Sequence, residues 1–287
     1  MKKGIYTALV TPFANGKIDF EALDKILQNQ IEAKVAGVVV LGTTGENPTL
    51  SEEERRVVVA FVLQKCKGKI EVVVGCGSNS TTRTLAEIEQ WNQFDLDAIL
   101  LCLPAYNKPN FLGLAEHVKL VCDACKHPIV VYNIPGRTAL KLSERQLQAI
   151  CSHPKVVGLK EASGDLELFC KTTKFKEDFL VYTGNDPQFL PSLKLGGCGA
   201  ISVASNLFPK EMNTLFLLHQ MGRTKEADAM FLSMQTFLDS LFLETNPVPI
   251  KYYLSLYGVC SREVRLPLGN LEQDTKKQID AIFEKEK

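Results

Sequence analysis

The stretch Val156-Val157-Gly158-Leu159-Lys160-Glu161 decides the fold, because it is a short apolar run that ends abruptly on two charged residues. Runs of the same kind recur along the whole chain. Short, nearly continuous apolar runs are typical of parallel strands that helices cover on both faces of the sheet. The predicted strands are Gly4–Val10, Gly37–Leu41, Ile70–Gly75, Ala98–Leu103, Ile129–Tyr132, Val156–Lys160, Phe179–Thr183 and Ala200–Val203.

Amphipathic segments with helix-start signals lie between these runs. Asp19 precedes the segment Phe20–Ala36, Ser80 precedes another, and Ser51 with Glu54 forms the pattern of a capping box. Eight strands, each followed by a helix, predict an α/β protein with a (β/α)8 TIM barrel. A doubly wound sheet is the competing architecture. The turn after the first strand lacks the glycine-rich fingerprint of that fold.

The chain continues beyond the eighth strand for longer than one closing helix requires. Three further helices are predicted over residues 224–243, 247–256 and 271–285, with Asn246 as an N-cap and Pro247 at the first helical position. We therefore predict a barrel over residues 1–222 and a C-terminal helical extension of the same domain over residues 223–287.

Composition excludes several classes of protein. The 287 residues carry 33 basic and 33 acidic side chains, which gives no cationic surface for nucleic acid or an anionic membrane. No apolar run approaches the roughly 18 residues of a membrane span. The nine scattered cysteines are typical of reduced thiols in the cytoplasm, not of a disulfide framework. A lone C-x-x-C, Cys122 and Cys125, lies in a predicted helix, so no metal site is expected.

The active site of a barrel lies at the carboxyl ends of its strands, so residues just beyond each strand are candidates. Lys160 ends an apolar strand, where burial would lower its pKa and leave a neutral amine that can form a Schiff base with a ketone. Alternatively, it extends to the rim with its amine in solvent. Tyr132 ends another strand, Tyr106 lies in the loop after a third, and each is either a proton-transfer or a packing residue. Arg137 could hold a carboxylate with both of its guanidinium arms or lie ion-paired at the surface.

Together these segments resemble the dihydrodipicolinate synthase family, also called 4-hydroxy-tetrahydrodipicolinate synthases. The resemblance covers essentially the whole chain. Its motifs are Gly42-Thr-Thr-Gly-Glu46, Pro104-Ala-Tyr-Asn-Lys-Pro109, Tyr132-Asn-Ile-Pro-Gly-Arg-Thr138, Gly158-Leu-Lys-Glu-Ala162, Gly196-Gly-Cys-Gly-Ala-Ile-Ser202 and Asn246-Pro-Val-Pro-Ile-Lys251.

The resemblance implies a lyase that needs no cofactor and condenses pyruvate, held as a Schiff base on Lys160, with L-aspartate 4-semialdehyde on the pathway to diaminopimelate and lysine. The implied catalytic residues are Lys160, Tyr132, Thr43 and Tyr106, with Thr43 linking the two tyrosines. The implied substrate-binding residues are Thr44, Arg137, Gly184 and Val203. It further implies a homotetramer, a pair of dimers, in which Tyr106 reaches into the neighbouring subunit's site.

Two alternatives share the strand-ending tyrosine and lysine. One is a related keto-acid lyase, either an N-acetylneuraminate lyase or a 2-keto-3-deoxy-sugar-acid aldolase, but such enzymes typically lack the Pro-Gly-Arg turn that ends at Arg137. The other is a non-catalytic barrel that binds a keto acid. The joint presence of Lys160, Tyr132, Thr43, Tyr106 and Arg137 disfavours the second alternative, because a binding module does not require them all.

Feedback inhibition by lysine, which is common among bacterial members, is expected to be weak or absent. Where such members carry histidines, a glutamate and an aromatic residue, this chain has Glu52 and Arg55, Arg83, and Ala105; Asn79 alone matches. Guanidinium groups disfavour a cationic ligand. A steady-state assay in the presence of lysine checks this expectation, and half-inhibition below millimolar lysine would contradict it.

Overall fold

Parallel strands close into a barrel in the computed structural model, which describes residues 1–286. The barrel order is β1-β10-β9-β8-β7-β6-β5-β4, and β2 and β3 form a separate hairpin. The strands are β1 (Gly4–Ala8), β2 (Phe13–Ala14), β3 (Lys17–Ile18), β4 (Gly37–Val40), β5 (Glu71–Cys76), β6 (Ala98–Cys102), β7 (Ile129–Asn133), β8 (Val156–Glu161), β9 (Leu180–Thr183) and β10 (Gly199–Ser202).

Helices follow the barrel strands and bury the outer face of the sheet. They are α1 (Phe20–Glu32), α2 (Glu52–Cys66), α3 (Thr81–Trp91), α4 (Phe111–Ala124), α5 (Pro135–Thr138), α6 (Glu144–Cys151), α7 (Leu166–Thr172), α8 (Phe189–Lys194), α9 (Pro209–Gln220), α10 (Thr224–Ser240), α11 (Val248–Leu256) and α12 (Gln273–Glu286). The predicted (β/α)8 barrel with further C-terminal helices is confirmed. The division at residue 222 stays a prediction.

The predicted helix starts agree with the structure at several positions. Asp19 caps α1, Ser80 caps α3, and Ser51 with Glu54 forms a complete capping box at α2. The end of the first helix was predicted too late. Lys34 adopts a left-handed backbone conformation with φ of 55°, which stops the helix so that the chain can turn into β4.

Two local features differ from the predictions made from sequence. The β2–β3 hairpin was not predicted, although Asn15 and Gly16 both have positive φ in the turn and Asn-Gly is a favoured hairpin pair. The predicted N-cap role of Asn246 is wrong, because the cap position of α11 belongs to Pro247. The Asn246 side chain instead hydrogen-bonds to Thr44, a partner on the barrel that the local sequence does not reveal.

The C-terminal extension is joined to the barrel by a buried ion pair. Lys251 on α11 and Glu46 in the loop after β4 are both fully buried and in contact. Lys251 also donates to the Glu263 carbonyl oxygen at 2.8 Å, and the second Glu46 oxygen accepts from the backbone N–H of Arg265 at 2.9 Å. Residues of the C-terminal extension therefore fix the position of the loop after β4.

Candidate active site

Lys160 and Tyr132 are neighbours across two adjacent strands. Register pairs Tyr132 of β7 with Lys160 of β8, and Cys102 of β6 with Tyr132. Only 6% of Lys160 is exposed, and its Nζ atom lies 4.3 Å from the centroid of the Tyr132 ring. Lys160 therefore points into the barrel, and the alternative in which its amine extends into solvent at the rim is wrong.

Burial changes the acid–base properties of this lysine. Desolvation lowers the pKa of Lys160 to about 8, while the nearby Asp186 carboxylate partly opposes that decrease. Asp186 is itself buried, and its Oδ2 atom accepts hydrogen bonds from the backbone N–H groups of Val203 at 2.8 Å and Ala204 at 3.0 Å. About a tenth of the Lys160 amine is consequently neutral and nucleophilic at pH 7, far more than for a solvent-exposed lysine.

Burial shifts the pKa of the Tyr132 phenol in the opposite direction to that of the Lys160 amine. Burial raises the pKa of Tyr132 above its ordinary value, although a hydrogen bond with Thr43 acts in the other direction. The hydroxyl of Tyr132 is therefore protonated and can donate a proton to a group that lies between it and Lys160. Thr43 is thus close enough to Tyr132 to act on its hydroxyl, and the relay through Thr43 stays a prediction.

Glu161 is separated from this chemistry by the geometry of the strand. Successive side chains of a strand point to opposite faces, so Glu161 points away from the side occupied by Lys160. Its carboxylate accepts from Asn133 Nδ2 at 2.7 Å and from the Ser163 N–H at 2.6 Å. These bonds link the ends of β7 and β8, and they give Glu161 a role in supporting the strand that carries Lys160.

Thr44 and Arg137 come together through a residue of the C-terminal extension. Thr44 lies in the short 3-10 turn Thr43–Gly45 after β4, and Arg137 lies on α5, just after β7. Asn246 Nδ2 donates to Thr44 Oγ1 at 2.9 Å, and Arg137 donates from Nη2 to the Asn246 carbonyl oxygen at 3.0 Å. Sequence reasoning missed Asn246 as a residue of the site, because its signal was interpreted as a helix cap.

A cavity of about 520 Å³ opens at the carboxyl ends of the strands. Among the predicted site residues, Thr43, Tyr132 and Arg137 line it, and Asn246 does so as well. Lys160, Thr44, Gly184 and Val203 are not part of the lining that residues 1–286 form. Lys160 lies directly against the ring of Tyr132, which does line the cavity.

Gly184 and Val203 have structural partners that limit how they could contact a substrate. A Cβ atom at Gly184 would lie 2.8 Å from Lys160 Cε, so glycine leaves the space that the lysine chain occupies. The Gly184 N–H already donates to the Glu161 carbonyl oxygen at 2.8 Å. The Val203 N–H is bonded to Asp186, and its carbonyl oxygen accepts from Asn206. Substrate contacts by both residues stay predictions.

Tyr106 is not brought into the site of its own subunit. It is 88% exposed, has a positive φ of 73°, and makes no hydrogen bond or ring contact within the part of the chain that the structure describes. The second half of the predicted relay, from Thr43 to Tyr106, is therefore absent among residues 1–286. Its position in a neighbouring subunit's site stays a prediction.

Arg55, one of the residues predicted to disfavour lysine binding, is held in an ion pair. Arg55 Nη1 contacts Glu87 Oε1 at 2.9 Å, and both side chains are mostly buried. Glu87 also accepts from the Gly77 N–H at the end of β5. Asn79 and Ala105 line the same cavity as Tyr132. The expectation that lysine inhibits this enzyme weakly or not at all stays a prediction.

The groups that usually hold metals are dispersed. Across residues 1–286, no cluster of three or more histidine, cysteine, aspartate or glutamate side chains could hold a metal ion. All nine cysteines are free thiols. The helices that the structure describes include none that is both long and apolar enough to cross a membrane.

The fold and this site define a class: (β/α)8-barrel enzymes with a desolvated lysine at the end of one strand and a tyrosine at the end of the adjacent, preceding strand. Comparison with known proteins narrows the class. The sequence model of the Dihydrodipicolinate synthetase family matches residues 1–286, so the chain belongs to that family.

Individual relatives match this sequence over nearly its whole length. A 4-hydroxy-tetrahydrodipicolinate synthase of Leptospira biflexa is 40% identical over 276 residues, which cover 96% of this chain and 94% of the relative. One from Thermotoga neapolitana is 38% identical over 288 residues, with 99% and 98% covered. The crystal structure of dihydrodipicolinate synthase from Thermotoga maritima superposes with a TM-score of 0.95 at 37% identity, covering 99% of this chain and 98% of that one. Like these relatives, the chain is a lyase.

Proposed function

We propose that this enzyme condenses pyruvate with L-aspartate 4-semialdehyde through a Schiff base on Lys160, and that it requires no metal or cofactor. The observation that carries the proposal is the desolvated Lys160 amine against the ring of Tyr132. The neutral amine attacks the C2 carbonyl of pyruvate, and loss of water gives an iminium. Loss of a proton from C3 then gives an enamine.

The remaining steps form one carbon–carbon bond and release the enzyme. The enamine carbon adds to the aldehyde of the semialdehyde, whose oxygen takes up a proton. The substrate amine then attacks the iminium carbon, closes the ring and displaces Lys160. Tyr132, held by Thr43, is the proton donor and acceptor in this proposal, because its phenol lies beside the amine and is protonated.

A binding group for a second carboxylate supports L-aspartate 4-semialdehyde as the acceptor rather than the polyhydroxylated acceptor of a sugar-acid lyase. Thr44 is assigned to the pyruvate carboxylate and Arg137 to the semialdehyde carboxylate, and Asn246 links the two. Gly184 and Val203 are proposed to complete the pyruvate end. The test supplies pyruvate with aspartate semialdehyde and, separately, N-acetylneuraminate or a 2-keto-3-deoxy-sugar acid. Turnover of a sugar acid without turnover of the semialdehyde would overturn the assignment.

Arg137→Ala is expected to raise the KM for aspartate semialdehyde by roughly ten- to a hundredfold, because a hydrogen-bonded charged partner of the carboxylate is lost. The KM for pyruvate should change little. Steady-state kinetics with each substrate varied in turn measure both effects. Arg145→Ala, an exposed arginine on α6, is the matched control. A defect confined to pyruvate would contradict the role of Arg137.

The pH dependence of the reaction follows from the lowered pKa of Lys160. We expect kcat/KM for pyruvate to rise about tenfold per pH unit below pH 8 and to level off above it, since only the neutral amine attacks. Asp186→Asn removes a carboxylate that raises the pKa of Lys160, so its profile should move to lower pH. A movement to higher pH would contradict this account of the amine.

We further propose a homotetramer built as a pair of dimers, in which Tyr106 completes the neighbouring subunit's relay. The exposed aromatic ring of Tyr106 and the 78% exposed Leu112 close to it in the chain support burial of this segment against a second copy. Sedimentation of the wild-type protein and of Tyr106→Phe tests the assembly apart from the relay.

We also propose that the enzyme is located in the cytoplasm, which its free thiols support.

A further inference from the structure

Asn246 occupies a place between the two carboxylate-binding residues of the site. Asn246 is only 9% exposed, and it lines the cavity together with Tyr132 and Arg137. Its side chain bonds to Thr44, whereas its backbone carbonyl bonds to Arg137. Asn246 therefore contacts Thr44 through its side chain and Arg137 through its backbone, so the two contacts can be changed independently.

The direction of the bond between Asn246 and Thr44 determines what the threonine can bind. A hydroxyl has one hydrogen to donate and can accept through its lone pairs. Thr44 Oγ1 accepts from Asn246 Nδ2 at 2.9 Å, so its hydrogen is left for another acceptor. Within residues 1–286, no protein acceptor takes that hydrogen. An ionised carboxylate is only an acceptor, and it is therefore the kind of ligand that this hydroxyl is prepared to bind.

We propose that Asn246 is a positioning residue that keeps the Thr44 hydroxyl oriented as a hydrogen-bond donor toward the carboxylate of the keto-acid substrate. The inference rests on the proposed function, because it takes pyruvate as the ligand of Thr44. Asn246 does not touch the reacting carbons in this proposal. It acts through Thr44 by occupying the acceptor side of that hydroxyl.

Two variants separate this role from general damage to the fold. Asn246→Ala removes the donor but keeps the backbone carbonyl that holds Arg137, so the pyruvate KM should rise on the order of tenfold while the semialdehyde KM changes little. Asn246→Asp has the same shape but can only accept from Thr44, which reverses the bond and adds a negative charge. Its pyruvate KM should rise further, on the order of a hundredfold.

The control is an asparagine that makes bonds of the same kind elsewhere. Asn213 on α9 donates from Nδ2 to the Ala33 carbonyl oxygen at 3.0 Å, outside the site. Asn213→Ala should leave the pyruvate KM within twofold of the wild type. A melting temperature is measured for each variant, and the pyruvate dependence of borohydride trapping gives a binding readout that does not depend on turnover.

A double-mutant cycle with Thr44→Val provides the decisive comparison. If Asn246 acts through Thr44, then Asn246→Ala should change the pyruvate KM less than threefold once the hydroxyl is gone. An equal rise in both backgrounds, or an unchanged pyruvate KM in Asn246→Ala itself, would overturn the inference and leave the proposed function intact. A wild-type protein that forms no adduct on Lys160 would instead overturn the proposed function, and this inference with it.

Discussion

Lys160→Met is expected to abolish the pyruvate adduct and to lower kcat at least a thousandfold, because no other group replaces the amine as the nucleophile. The wild-type protein is incubated with pyruvate and borohydride, and the reduced adduct is located by mass spectrometry of peptides. Turnover with both substrates is measured in parallel. Adduct on Lys160 together with turnover also excludes the alternative of a non-catalytic keto-acid-binding barrel.

Lys160→Arg is the variant that separates nucleophilicity from charge. A guanidinium stays protonated at every accessible pH and cannot form the Schiff base, although it keeps a cation against the ring of Tyr132. We therefore expect Lys160→Arg to be as inactive as Lys160→Met. Lys194→Met, at the surface of α8, should keep the wild-type adduct and rate. Substantial turnover by Lys160→Arg would show that the lysine acts only as a charge.

The pattern of the sequence predicts the barrel and the strand-end residues well, because both depend on local periodicity. Each predicted strand overlaps an observed one, and Tyr132 and Lys160 are where neighbouring strand ends should bring them. Lys160 could be predicted to point inward because it terminates an apolar run in a fold that keeps its site at the strand ends. The desolvation of its amine follows from the same placement.

The remaining parts of the site depend on contacts between distant segments, which local patterns do not reveal. Asn246 and Thr44 are separated by 202 positions, and the hydrogen bond between them exists only because the extension folds back over the strand ends. Asp186 reaches Val203 by a similar long-range contact. Tyr106 is different, because its expected partners belong to a second chain. The resemblance to a family supplied that expectation.

The ion pair between Glu46 and Lys251 is the clearest case of a distant contact that supports the site. Lys251→Met is expected to lower the free energy of unfolding by about 3 to 5 kcal/mol, because it leaves the Glu46 carboxylate buried without its cation. The lysine amine also lies 4.2 Å from the Phe13 ring centroid, a contact that methionine replaces with an apolar one. Scanning calorimetry at fixed protein concentration should show a decrease in Tm of roughly 5 °C or more.

The double variant Glu46→Gln with Lys251→Met tests whether the uncompensated charge causes that loss. Removing both charges should recover most of the stability, since a neutral amide no longer requires a buried cation and can still accept from the Arg265 N–H. Lys277→Met, which removes an exposed lysine paired at the surface, should change Tm by less than about 1 °C. If the double variant is less stable than Lys251→Met alone, the pair acts through specific hydrogen bonds rather than through charge neutralisation.

The ion pair should also affect substrate binding, because Glu46 lies only two positions after Thr44. We therefore expect the single variant Lys251→Met to raise the pyruvate KM. A fold-wide loss of stability alone would leave that KM unchanged in the protein that stays folded.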